Sequence, residues 1–297
     1  MLQFLSKSPD WDTDGADWPH RDYSAFVETK AYRWHIQRMG SGPAILLIHG
    51  TGASTHSWGP LAAILAKQFE VVAFDLPGHG FTKTRLYQTP SLPKIAAAVG
   101  DLFSAIGIKP SLTVGHSAGA AIMIEMIRQN MIAPRAAVGI NGALSPFDGA
   151  AGFIFPLAAK FLYYNPLTAY AFSRNASDTR RVANLIRQTG SSIDSDSIQR
   201  YATLMQSPSH VSGALGMMAH WNLSAMESNL LQLEIPTLFI AGALDKAVPP
   251  QQSKWAAELA PRGTHAQMEG VAHLAHEENP EHTAALITAF ALESSIN

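Results

Sequence analysis

Residues 114–119 read Val114-Gly115-His116-Ser117-Ala118-Gly119. They follow one apolar run and open another. This is the G-x-S-x-G form, set where a strand turns at once into a helix. Such a turn holds the residue at its tip in a strained conformation. Its flanks lie against neighbouring backbone and must be small, a demand that Gly115 and Gly119 meet. Ser117 then projects from the end of a sheet. The helix that follows aims its free N–H groups and its positive dipole end at the same point. The reading makes Ser117 a nucleophile and the N–H of Ala118 one donor of an oxyanion site. A bare G-x-S-x-G arises readily by chance; the strand–turn–helix setting is what gives it weight.

Outward from this turn the chain alternates. Upstream, residues 23–28 and 32–37 interleave apolar and polar side chains and read as two antiparallel strands. Ala44-Ile-Leu-Leu-Ile48 is a continuous apolar run, suited to a strand buried on both faces. A helix is expected over 57–68, a strand over 69–74, a helix over 92–106 and a strand over 111–114. Downstream follow a helix over 118–129 and a strand over 136–140. Strands alternating with helices define an α/β chain with a doubly wound, mostly parallel sheet.

After Asn141 the alternation stops. Residues 146–226 read as helical, and strands return at 237–241 and 265–268 before a closing helix over 281–293. The expected organisation is therefore a core of residues 21–145 and 227–297, with 146–226 inserted as a helical lid. Residues 1–20, polar and rich in Asp, read as a loose arm.

The turn His49-Gly50-Thr51-Gly52 follows the strand 44–48. Its glycines let backbone approach a substrate closely, and the N–H of Thr51 is the expected second oxyanion donor. His49 reads as a structural histidine bonded within the turn. A serine hydroxyl needs a base to take its proton. The turn around Ser117 resembles that of the α/β-hydrolases, whose chain order is Ser, then acid, then His. That order selects His273, in the loop before the last helix, over the other 11 of 12 histidines. It selects Asp245, after the strand 237–241, as the acid that holds the His273 tautomer. Asp148 is a weaker candidate because it falls in the lid. Asp75 and His79, in Asp75-Leu-Pro-Gly-His-Gly80, read as turn-stabilising, and His276 as a first-turn hydrogen-bonding residue.

Bulk composition sets limits. The hydrophobic fraction is 47% and the charged fraction 15%, enough to bury a sizeable core and far from disorder. The formal net charge of −2 offers no basic balance for nucleic acid. The absence of cysteine removes disulfides, a thiol nucleophile and thiolate metal sites. No cofactor and no metal are expected. The first ten residues lack the pattern of a signal peptide, and no uncharged apolar run reaches the roughly 20 residues of a spanning helix. A soluble protein is expected, with peripheral membrane contact open.

Residues 147–172 hold eight aromatic side chains and only two charges, Asp148 and Lys160. They read either as packing of the lid on the sheet or as an apolar surface for a flat ligand or a membrane face. Met218 and Trp221 extend this theme. Phe147, Met218, Trp221, Trp58 and His116 are the expected substrate contacts.

Two layers of resemblance add to this. The His-Gly-Thr-Gly turn, Asp75-Leu-Pro-Gly-His-Gly80, Gly-His-Ser-Ala-Gly and the late Asp and His together are similar to the α/β-hydrolase superfamily. More specifically, Asp17-Trp-Pro-His-Arg-Asp22, Trp34-His-Ile-Gln-Arg-Met-Gly40, the stretch His49 to Trp58, and Ile140-Asn-Gly-Ala-Leu144 resemble the magnesium-chelatase accessory proteins of bacteriochlorophyll biosynthesis. The resemblance implies a cytoplasmic protein of phototrophic bacteria, near the step that inserts magnesium into protoporphyrin and in contact with chelatase subunits. It does not itself fix a reaction. Three functions follow as expectations: a serine hydrolase for a hydrophobic ester-like substrate, a porphyrin-binding or carrier protein whose triad is idle, or a non-hydrolytic use of the same site.

Overall fold

The alternation of residues 44–48 between two cores shows how the sheet is built. Leu46 and Ile48 belong to one buried cluster, while Ile45 and Leu47 belong to another. Successive side chains of a strand point to opposite faces, so this run is covered on both sides. The computed structural model describes residues 7–145 and 160–296. Its strands are β1 (Ser24–Glu28), β2 (Tyr32–Met39), β3 (Ala44–Ile48), β4 (Glu70–Phe74), β5 (Lys83–Thr84), β6 (Leu112–His116), β7 (Ala136–Ile140), β8 (Thr237–Gly242) and β9 (Gly263–Met268). They form one sheet in the order β1-β2-β4-β3-β6-β7-β8-β9, with β5 paired to β2. Strands β1, β2 and β5 pair antiparallel, and from β4 to β9 the pairing is parallel.

Helices cover both faces. They are α1 (Gly59–Leu65), α2 (Leu92–Ile106), α3 (Ala118–Arg128), α4 (Pro166–Asn175), α5 (Thr179–Gln188), α6 (Ser195–Met205), α7 (Pro208–Ala219), α8 (Met226–Leu231), α9 (Gln251–Leu259), α10 (Ala275–Glu278) and α11 (Pro280–Glu293). Helices α2 and α3 supply one core and α1 and α11 the other. Helices α4 to α8 lie between β7 and β8 in sequence. Asn165, Asp178, Asp194 and Ser207 cap the first four of these through side-chain oxygens, as N-cap chemistry requires. A small cluster of Ala176, Val182, Ile186, Tyr201 and Ala202 from these helices packs on Ala53 and Leu274.

Three expectations need correction. The helix expected over 57–68 divides into a tight 3-10 turn, Thr55–Trp58, and α1, because Pro60 starts a new helix at its first turn. Helix α9 was not anticipated; it buries only Ser253 and Ala256 along its length, too little apolar pattern to read. The arm is not loose over residues 7–20. Trp18 is buried beside Phe81 and Leu204, with Trp11 packed against them. The Trp18 indole N–H donates to Thr55 Oγ1 at 3.1 Å, so two tryptophans override the polar Asp pattern.

Candidate active site

Strand β6 ends at His116 and α3 begins at Ala118, so Ser117 alone makes the turn. Its φ is 52°, a left-handed value that a serine adopts only under constraint. The constraint is visible. A side chain at Gly119 would collide with the carbonyl oxygen of Ile48, and one at Gly115 with the backbone of Ala120. The Ser117 N–H donates to Ile140 O at 3.0 Å, and its carbonyl accepts from Ala120 and Ala143. Three strands and a helix thus fix one residue.

The parallel register of β3 on β6 pairs Ile48 with Gly115 and so sets the turn after β3 beside Ser117. A Cβ at Gly50 would lie 2.9 Å from Ser117 Cβ, so only glycine fits there. Thr51 and Ser117 border one cavity of about 210 Å³. Ala118 is the first residue of α3, one of the positions whose N–H has no acceptor within its helix. His49 is held in the turn: Nδ1–H donates to Gly50 O at 2.7 Å and Nε2 accepts from Leu76 N–H at 2.9 Å. Both ring nitrogens are used, and burial keeps the ring's proton affinity low.

His273 borders the same cavity as Ser117. Its Nδ1 lies 2.9 Å from Asp245 Oδ2, across 28 residues of sequence. Asp245 is buried and also accepts from Asn141 Nδ2 at 2.7 Å and from the N–H groups of Ala247 and Val248. Burial opposes its ionisation, but the His273 ring, the Val248 N–H and Asn141 outweigh it and hold the carboxyl below its ordinary value. The acid is therefore a carboxylate that fixes His273 with Nδ1 protonated, leaving Nε2 as the basic nitrogen.

The other expected contacts divide. His116 is buried; its Nε2–H donates to the His273 carbonyl at 2.9 Å. Burial, with His273 beside it, lowers His116 to about 3. It is thus a neutral ring that holds the backbone of His273, and it also borders the cavity that Ser117 and His273 share. Trp58 is fully buried, its ring tilted against that of His276 at 4.5 Å, and cannot touch a substrate. Trp221 packs on the core. Met218 does line a cavity, a second one of about 460 Å³ with an almost wholly apolar wall, between α4, α5, α6 and α7. Gly52, Leu185 and Met205 border both cavities, so the two adjoin. Phe147 lies outside the described residues.

Sequence reading missed several participants. Asn141, at φ 46°, orients Asp245 from the end of β7. The pair Asn141-Gly142 is a turn signal that could have drawn attention to it. Tyr201 of α6 borders the cavity, and its hydroxyl donates to Glu277 Oε1 at 2.7 Å. Asp75 is a buried carboxylate that joins His35 at 2.8 Å to the N–H groups of Thr55 and Phe81. This is the turn-stabilising role expected of it. His79 is buried beside it, with Nδ1 3.1 Å from Pro77 O. His276 is held by Ser57, at 2.8 Å, rather than by its own helix turn. Among the described residues no group of three or more His, Asp or Glu side chains is placed to hold a metal ion, and no helix is long and apolar enough to cross a membrane.

A parallel sheet carrying a constrained serine after β6, an acid after β8 and a histidine after β9 defines a class. Residues 43–280 match the family described as alpha/beta hydrolase fold, and the chain belongs to that family. Within it, the chain is 36% identical over 264 residues to the magnesium-chelatase 30 kDa subunit of Rhodobacter capsulatus, covering 88% of this chain and 92% of that one. It is also 28% identical to the pyrrolizixenacetamide deacetylase of Xenorhabdus hominickii, over 86% of this chain and 94% of that one. In structure it is similar to a lipase from Acinetobacter baumannii, with a TM-score of 0.78, 20% identity and 93% and 94% of the two chains covered. An esterase from Thermogutta terrifontis gives a TM-score of 0.74 at 18% identity, over 91% and 98%.

Proposed function

We propose that the protein is a serine hydrolase acting on a hydrophobic ester-like substrate, with Ser117 as nucleophile, His273 as base and Asp245 as the acid that orients it. The observation that carries this is the Asp245–His273 pair, opening on the same cavity as a serine held at φ 52°. In the reaction Ser117 Oγ attacks the ester carbonyl and His273 Nε2 accepts its proton. The N–H groups of Ala118 and Thr51 stabilise the negative oxygen that forms. His273 then protonates the departing alcohol, and a water activated by the same ring releases the acid. The likeness to a magnesium-chelatase subunit supports a place as an accessory factor at the chelatase step, with a porphyrin intermediate as substrate and chelatase subunits as partners. A cytoplasmic location goes with that reading.

A fluorophosphonate probe tests the chemistry. Wild-type protein should be labelled at Ser117 and lose labelling on His273→Ala. Failure to label would remove the hydrolase reading. The apolar cavity beside the site favours a second reading, a porphyrin carrier with an idle triad. Absorbance titration of protoporphyrin separates the two. A carrier binds at micromolar or tighter concentration equally well in wild type and Ser117→Ala, while showing no turnover.

A further inference from the structure

We propose that the outer face of α4 and α5, with the helical residues 160–164, docks on an anionic lipid bilayer and sets the mouth of the apolar cavity against it. Four observations meet on this face. Its charge is one-sided: residues 160–193 carry Lys160, Arg174, Arg180, Arg181 and Arg187 against a single acid, Asp178, in a chain whose net charge is −2. It exposes large apolar side chains that a water-facing surface does not need. Phe161 is 74% and Leu167 60% exposed, and Tyr164 is exposed beside them. The basic and apolar groups share the same helices. Leu167 and Arg174 lie seven apart on α4, and Arg180 and Arg187 seven apart on α5, so each pair shares one face. Finally, the cavity opens beside this face, on the flanks of α4 and α5. Phe172 and Leu185 line it and yet remain about half exposed, so they stand at its mouth with Arg181.

Basic and apolar groups on one face are what an anionic interface selects. Long cationic side chains reach headgroup phosphates while apolar ones enter the acyl boundary. A bilayer fits better than a folded protein partner because the apolar groups are dispersed among arginines instead of forming one dry patch. A ligand dissolved in the bilayer would pass the mouth, enter the apolar cavity and reach the adjoining triad cavity past Leu185 and Met205. The docking itself needs no hydrolysis.

Flotation of the full chain with lipid vesicles tests this. Vesicles of phosphatidylcholine with phosphatidylglycerol should carry the protein at low salt, and raising the salt should release it. Pure phosphatidylcholine should bind at least about tenfold more weakly. Arg174→Glu with Arg187→Glu should weaken binding by at least about thirtyfold, since each basic side chain near such a surface contributes roughly fivefold. Phe161→Ser with Leu167→Ser should weaken it at any salt. Fluorophosphonate labelling of Ser117 should stay at the wild-type level in both variants, which shows that they fold and separates this docking from the hydrolase reading. No flotation with anionic vesicles, equal flotation with neutral ones, or wild-type binding by the charge-reversed variant would each overturn the proposal.

Discussion

Asp245 does two things with one carboxylate. Oδ1 receives the N–H groups of Ala247 and Val248, which pins the loop after β8. Oδ2 receives Asn141 and faces His273 Nδ1. Replacing it with Asn would keep an oxygen for the loop but offer His273 an N–H where it needs an acceptor. The ring would turn over its tautomer and lose the basic nitrogen proposed to take the Ser117 proton. Asp245→Asn should therefore lower kcat for a p-nitrophenyl ester by about 10⁴, with KM little changed and the fold intact. Steady-state kinetics beside a circular dichroism spectrum would check it; a variant with nearly full kcat would show that another group orients His273.

Helices α6 and α10 both face the turn Thr55–Trp58. The Glu277 side chain is buried there and accepts from both Tyr201 and Ser57. Burial pushes it up to about 7, only partly offset by those two donors. Between an ordinary carboxyl value and 7 the unfolded chain releases this proton and the folded chain keeps it. Stability must then fall as pH rises through that window, with the full cost present above 7. The displacement from 4.5 to about 7 corresponds to about 3 kcal/mol. Glu277→Gln keeps an oxygen for both hydroxyls but cannot ionise. Urea unfolding should show wild type losing about 2.5 kcal/mol more than the variant between about pH 5 and about pH 8. Parallel curves would mean that Glu277 is not the titrating group. At the other end of the same turn, Trp18→Ala should cost about 3–5 kcal/mol in the same assay, because it empties a buried site and strips Thr55 of its donor. Such links also mark where the sequence stops being legible. Continuous apolar runs such as residues 44–48 and 136–140 declare buried parallel strands by themselves, and both match their strands to the residue. The serine, the acid and the histidine are legible because a local motif and a chain order choose them. His116 and Asn141 are not, since their roles depend on His273, 157 residues from His116, and on Asp245, 104 residues from Asn141. The place of His116 at the cavity of Ser117 is legible beside the nucleophile; its bond to the backbone of His273 is not.

At the scale of the whole molecule, buried apolar contact is unevenly spread. Two large clusters hold the sheet between α1, α2, α3 and α11. Helices α7 and α8 add Met217, Met226 and Leu230 to one of these, whereas α4, α5 and α6 share a much smaller cluster, which touches the rest of the chain through Ala53 and Leu274. Free energy of local opening follows buried contact, so these helices should open without unfolding the sheet. Hydrogen exchange should show amides of α4 and α5 exchanging at lower opening free energies than those of β3, β6 and β7. The adjoining cavities give this unevenness a use, because opening α5 moves Leu185, which borders both. A ligand held across the two cavities binds only the closed form. At a hundredfold excess over its Kd it should raise the protection of α4 and α5 by about 2.7 kcal/mol while leaving that of the sheet strands nearly unchanged. Protoporphyrin, or a long-chain ester with Ser117→Ala, serves as the probe. Equal protection of α4, α5 and the sheet before the ligand is added would mean that the molecule opens as one unit, and that ligand entry needs no movement of α5.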